Sequence, residues 1–203
     1  MKIYKLEDGK ILVKAAREAI EQYIKKGVKT YIKDLNKFSD LYGVFVTLKY
    51  YTKNELRGCI GFPRGISSVK DLLVDAAISA ATDDPRFPPL ALRELKSIVI
   101  EVSILSEPEL LNKKDLTKDK IGETIKVGRD GLIIEYGYAS GLLLPVVAVE
   151  ENWSSEEFLK NTCYKAGLPE DAWKNPTAKL YRFEVQAFKE KTPGGEIFEE
   201  NLL

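Results

Sequence analysis

The chain has 203 residues and a mass of 22.9 kDa, enough to bury roughly 70% of its unfolded surface without a metal or disulfide staple. Hydrophobic residues make up 44% and charged residues 31%, a globular balance that argues against extensive disorder. Basic and acidic side chains number 31 each and histidine is absent, so there is no global field for nucleic acid or an anionic membrane, and a Ser-His-Asp triad, a Cys-His dyad, a His-ligated zinc and a histidine proton shuttle are excluded within one chain.

The neutral total hides an asymmetry. Residues 1–100 carry 18 basic and 12 acidic side chains, and residues 101–203 carry 13 and 19, an imbalance that mostly describes solvated surface. Lysine outnumbers arginine and there is a single methionine, a composition that fits a thermophile source. The most apolar stretch, Gly141 to Val149, is broken by Pro145 and falls far short of the roughly 20 residues of a spanning helix. The start runs into Glu7 and Asp8 without an apolar export segment, which predicts a cytoplasmic location. Two cysteines, Cys59 and Cys163, define no disulfide framework and leave a single bridge open.

Taken in chain order, Ile11, Leu12, Ala15, Ala16, Ile20, Tyr23 and Ile24 recur at helical spacing over residues 10–26, with Gly27 placed to stop the helix. Val44 to Tyr51 and a run beginning at Leu56, separated by Thr52 to Glu55, predict an antiparallel hairpin. Ser68, with Asp71 three positions on, opens a helix carrying Leu72, Leu73, Ala76, Ala77, Ala80 and Ala81. Three prolines stiffen the loop from Asp84 to Leu90. Ile98 to Leu105 alternates as a strand, with Glu101 and Ser103 on one face. Asp130-Gly131 reads as a hairpin turn between Thr124–Val127 and Leu132–Tyr136, and Gly137 and Gly141 bracket a second reversal before a strand over 142–149. Ser154 or Ser155 caps a helix through Phe158, Leu159, Thr162, Cys163 and Ala166 that ends at Gly167. A last strand over 180–188 points Tyr181, Phe183, Val185 and Ala187 inward. Hairpins with helices segregated between them predict an α+β fold with largely antiparallel sheets. No repeat or linker interrupts the chain, which reads as one domain with a polar seam near residues 107–120 and a tail over 195–203 expected to fray.

The most unusual local pattern is Leu56-Arg57-Gly58-Cys59-Ile60-Gly61. In a strand, Arg57 and Cys59 share a face roughly 7 Å apart, and a fixed cation beside a thiol favours the thiolate. Gly58 and Gly61 mark a bulge or a place where a ligand or another backbone approaches closely. The structural alternative buries Cys59 in the core and pairs Arg57 with a carboxylate. Asp84-Pro85-Arg86-Phe87-Pro88 holds an aspartate and an arginine on a stiff loop suited to an anionic or polar ligand, or equally a turn cap with Phe87 in the core. Glu101, mid-strand between apolar neighbours, needs a partner, for which Arg57 and Arg86 are the obvious choices; it is either structural or a base with a raised pKa. No phosphate loop, dinucleotide fingerprint or paired-cysteine metal spacing occurs, so neither cofactor nor metal is implied.

Leu56 to Gly61 resembles the six-residue signature of the AMMECR family, named for the Alport syndrome, intellectual disability, midface hypoplasia and elliptocytosis chromosomal region. Further similarities lie at Asp84 to Pro88, Glu101 to Leu105, Leu143 to Val147, Trp153 and Thr162 to Leu168, in family order. The resemblance implies an α+β fold of two unequal lobes with the suspected site in the cleft between them, and no established reaction. It also implies a genomic association with Memo-like and radical S-adenosylmethionine proteins. One departure is Val146, where the family often has glutamine after its Leu-Leu-Pro segment. Two functional readings follow. In one, a small ligand or a protein partner binds at a cleft around Leu56 to Gly61, with Arg57, Gly58, Gly61, Asp84 and Arg86 as binding residues. In the other, an enzyme uses Cys59 as thiolate nucleophile or redox centre on a small anionic substrate, with Glu101 as base.

Overall fold

The structure, a computed structural model, describes residues 4–117 and 119–200. In chain order the elements are α1 (Leu6–Lys26), β1 (Gly43–Tyr50), β2 (Leu56–Phe62), α2 (Val69–Thr82), β3 (Ile98–Leu105), β4 (Glu109–Leu110), α3 (Ile121–Thr124), β5 (Asp130–Tyr136), β6 (Ala139–Leu143), α4 (Pro145–Glu150), α5 (Ser155–Lys165), β7 (Lys179–Glu190) and β8 (Ile197–Glu200), with short 3-10 turns between several of them. Every strand pairing described is antiparallel, so the chain is α+β with largely antiparallel sheet. No helix among the described residues is long and apolar enough to cross a membrane.

The residues form two compact units. One holds the described residues up to Leu105 and those from Gln186 on; the other is Ser106–Val185. In the first unit the strand order is β2-β1-β3-β7, with β8 also paired to β7. Helix α1 starts four residues earlier than its apolar periodicity suggests, places Glu7 and Asp8 in its first turn and Lys25 and Lys26 in its last, and closes where the Gly27 N–H donates to the Tyr23 carbonyl. Both charge placements complement the helix dipole. Leu12, Ala16 and Ile20 of α1 and Leu73, Ala76, Ala77 and Ala80 of α2 share a core with Val44, Val46 and Leu48 of β1 and Ile98, Ile100, Val102 and Ile104 of β3. The alanines of α2 leave room for backbones to approach closely, as the sequence indicated. Its cap works in the reverse sense from the expected one, because the Ser68 hydroxyl donates to Asp71 and accepts no helix N–H.

Ile197–Glu200 pairs with β7 as β8, although the residues from 195 on read as a fraying tail; residues 201–203 of that tail, like Lys118 of the polar seam, lie outside the described residues. Strand β7 also departs from simple alternation: Phe183 and Ala187 are buried as expected, Tyr181 and Val185 are only partly buried, and Leu180, Gln186, Phe188 and Glu190 are buried as well. Glu190 is buried because Arg17 makes two hydrogen bonds to it and the Ile100 N–H a third, which satisfies the carboxylate inside the core.

In the second unit β7, β5 and β6 lie side by side and β4 pairs with β7. Their core gathers Ile125, Leu132, Ile134, Phe158, Leu159, Cys163 and Leu180. Ser154 caps α5 in a reciprocal box with Glu157, worth about 1 kcal/mol. Two predicted strands differ. Thr124–Val127 does not pair with β5: α3 ends at Thr124, and the turn after it is closed by the Lys126 N–H donating to the buried Asp130 carboxylate, so Asp130 starts β5 instead of lying in a hairpin turn. The stretch 142–149 is strand only to Leu143; Pro145, at the first helical position, starts α4, where its missing N–H costs nothing.

Candidate functional site

The site is built on β1, β2 and β3. Thr47 lies opposite Cys59 on one side and Glu101 on the other, so these three form a row across three strands. One residue on, Leu48 lies opposite Gly58 and Ile100, and these face α2 and the core. At Gly58 a Cβ would come within 2.1 Å of the Ala80 carbonyl oxygen, so its glycine is required by helix-to-strand packing. A Cβ at Gly61 would likewise run into the Phe45 ring, 2.3 Å away.

The row is polar and half-buried. The Thr47 hydroxyl donates to Cys59 Sγ at 3.3 Å, and the Ser103 hydroxyl donates to Glu101 at 3.4 Å. Burial pushes the Cys59 thiol up, outweighing the downward pull of the Thr47 hydrogen bond and of Arg86. The same burial disfavours the thiolate that the nucleophile reading of Cys59 needs. Burial, then the negative charge of Glu200 and a hydrogen bond with it, push Glu101 up to about 7, while Lys49 and Lys189 pull it back.

Arg57 is not beside Cys59. The register runs from Leu48 opposite Gly58 to Lys49 opposite Leu56, so Arg57 is the extra residue of a β-bulge and period-two alternation fails there. Its buried guanidinium turns to Glu94, with Nε to Oε1 at 2.9 Å, and donates to the Pro88 carbonyl. Tyr50 donates to the same Glu94 oxygen at 2.8 Å, and these bonds hold the Glu94 carboxyl down at about 2. The carboxylate partner of Arg57 is thus Glu94, and Glu101 meets neither arginine proposed for it.

Asp84 and Arg86 serve the free edge of β2. The Cys59 N–H donates to Asp84 at 2.8 Å, and Arg86 reaches back to the Cys59 carbonyl at 3.4 Å while making a two-pronged contact with Asp84 at 2.7 and 2.9 Å. The edge that would otherwise offer unpaired backbone groups is covered. The Arg86 hydrogen bonds hold the Asp84 carboxyl well below the usual range, and Phe87 lies under both guanidiniums, 5.8 Å from Arg57 and 5.6 Å from Arg86. The Arg86 side chain is 52% exposed, which leaves its outer face available to an anion.

Thr47, Lys49, Glu94, Lys189 and Glu200 were not singled out by sequence. Each is an ordinary polar residue in an unremarkable local pattern; strand pairing or chain return brings Thr47, Lys49, Lys189 and Glu200 to the row, while Glu94 meets Arg57 instead. Among the described residues no group of three or more Cys, Asp or Glu could hold one metal ion. Both cysteines are free, Cys163 fully buried in the second unit.

An antiparallel α+β protein with a bulged, glycine-bearing edge strand and its Asp-Pro-Arg-Phe-Pro brace is the class that these features define. The AMMECR1 family model matches residues 13–188, and the chain belongs to that family. It is 51% identical over 204 residues to Protein MJ0810 of Methanocaldococcus jannaschii, covering 100% of each chain, and 48% identical to Protein MK0488 of Methanopyrus kandleri, covering 97% of this chain and 95% of that one. The crystal structure of Uncharacterized Protein PH0010 from Pyrococcus horikoshii superposes with a TM-score of 0.89 at 46% identity, covering 96% of this chain and 97% of that one.

Proposed function

We propose that the protein binds a small anionic or strongly polar ligand at the β2-β1-β3 face, without covalent chemistry at Cys59. The observation that carries this reading is the in-register row of Cys59, Thr47 and Glu101. It sets a neutral thiol, a hydroxyl and a carboxyl that titrates near neutrality side by side, with the half-exposed Arg86 at the strand edge. Hydrogen-bonding groups on rigid strands, flanked by one fixed cation, suit recognition of a polar ligand. Nucleophilic catalysis needs the thiolate, and burial works against it. Arg57, locked to Glu94, and Gly58, packed under Ala80, support the face and do not line it.

The test is a thermal-shift screen of small carboxylates, phosphate esters and nucleotides, followed by calorimetry on the hits. Binding should persist in Cys59→Ser and weaken by about tenfold or more in Arg86→Ala, the loss of one charge-assisted contact. If Cys59→Ser keeps the fold but abolishes binding, or if native Cys59 alkylates rapidly at pH 7, the thiol-chemistry reading replaces this one.

A further inference from the structure

The second unit holds a cavity of about 470 Å³ that has no part in the Cys59 row, lined by Lys113, Leu116, Ile121, Glu156, Trp173 and Lys174. Its volume is within the range of about 300–1,000 Å³ typical of small-molecule sites. Leu116 and Ile121 belong to the core of this unit and Trp173 packs against it, so the wall is apolar. The polar groups around it are unbalanced. Among the described residues neither Lys113 nor Lys174 forms an ion pair: the Lys113 amine donates to the Asn175 carbonyl, and the Lys174 amine sits 5.3 Å over the Trp173 ring. Glu156 is engaged by Lys160 at 3.2 Å. The Trp173 indole N–H is buried with no acceptor. Burial pushes the Lys113 ammonium down, the signature of a cation short of a counter-charge. The wall is therefore rich in positive charge and poor in acceptors.

We propose that this cavity binds a small organic monoacid with a flat apolar body, its carboxylate held by Lys113 and Lys174 and its body laid against Trp173, Leu116 and Ile121. The carboxylate supplies the acceptors and the negative charge that the wall lacks, and the body removes apolar wall from water. Lys160 already answers Glu156, so the choice of a carboxylate on an aryl body over a phosphate dianion rests on the apolar wall of Leu116, Ile121 and Trp173, which a fully hydrated dianion would leave uncovered.

The probe is 1-naphthaleneacetate, titrated into the ¹⁵N-labelled full-length chain. The chain has two tryptophans, so the Trp173 indole signal is assigned with Trp173→Phe. Saturable movement of that signal is expected, with affinity falling about tenfold in the Lys113→Gln/Lys174→Gln double variant and by a smaller factor in Lys174→Gln alone, which leaves the Lys113 bond to Asn175 intact. The neutral 1-naphthaleneacetamide should bind about tenfold more weakly, as expected when one partly screened charge interaction is removed. The proposal is overturned by absence of a saturable Trp173 shift up to about 10 mM, by equal affinity for acid and amide, by unchanged affinity in Lys174→Gln and in a folded double variant, or by inorganic phosphate displacing the probe as well as a second aryl carboxylate does. Each readout is confined to Trp173 and the two lysines, so failure here leaves the Cys59 row untouched, and the reverse also holds.

Discussion

Replacing Glu101 with glutamine should stabilise the protein at alkaline pH and remove part of its pH dependence. Glu101 is half-buried on β3, and burial together with Glu200 on β8 lifts its carboxyl from an ordinary value of 4.5 to about 7. An acid whose pKa is raised by folding binds more protons folded than unfolded between those values. Its contribution to stability is therefore most favourable at or below the unfolded pKa and is lost as pH rises through about 7. At about 1.4 kcal/mol per unit, the full loss is on the order of 3 kcal/mol, a figure that already contains the opposing pull of Lys49 and Lys189. The groups that face it are Cys59 and Thr47 along the row, Ser103 on its own strand, Lys49, Lys189 and Glu200. Guanidinium unfolding of wild type, Glu101→Gln and Glu200→Gln at about pH 5, 7 and 8.5 and constant ionic strength measures the effect. Wild type should lose up to about 3 kcal/mol relative to Glu101→Gln between the extremes, and Glu200→Gln should show a smaller loss. Parallel pH profiles for wild type and Glu101→Gln, or a Glu101→Gln protein less stable than wild type at pH 8.5, would refute the argument.

Gly58→Ala should destabilise by about 1–3 kcal/mol or more, because the added carbon meets the Ala80 carbonyl oxygen at 2.1 Å; an unchanged guanidinium midpoint would show that α2 yields freely. Arg57→Ala strands Glu94 beside Tyr50 and removes the bond to the Pro88 carbonyl, at a cost of about 3 kcal/mol by chemical unfolding. With the Glu94 carboxyl held down at about 2, the pair's contribution is present above the unfolded glutamate pKa and fades as pH falls towards 2. Glu94→Gln should therefore flatten the acid limb of the stability profile. In a Cys163→Ser background, iodoacetamide should label native Cys59 more slowly at pH 7 than an unfolded control, since burial raises the thiol pKa; labelling as fast as in the unfolded control would refute this effect of burial.

How much could be read in advance depends on range. Local patterns carried α1, the β1-β2 hairpin, α2, β3 and α5, because apolar spacing, capping residues and turn residues act within a few positions of one another. The hairpin turn assigned to Asp130-Gly131 failed because Asp130 satisfies a backbone N–H four residues back, an alternative open to any aspartate near a turn. The bulge at Arg57 was invisible for a similar reason, since a strand's register is a property of the pair and not of one strand.

The amino-acid sequence by itself determined the α+β class, the absence of histidine-based chemistry, and the two short segments, Leu56–Gly61 and Asp84–Pro88, that meet at the edge of β2. Tertiary structure alone decided the partners. It gave Arg57 to Glu94 and the Cys59 N–H to Asp84, set Glu101 against a carboxylate from the far end of the chain, and lined up Cys59 with Thr47. Ionisation and hydrogen bonding depend on distance and burial in space, so residues remote in sequence determine the character of each group in the row.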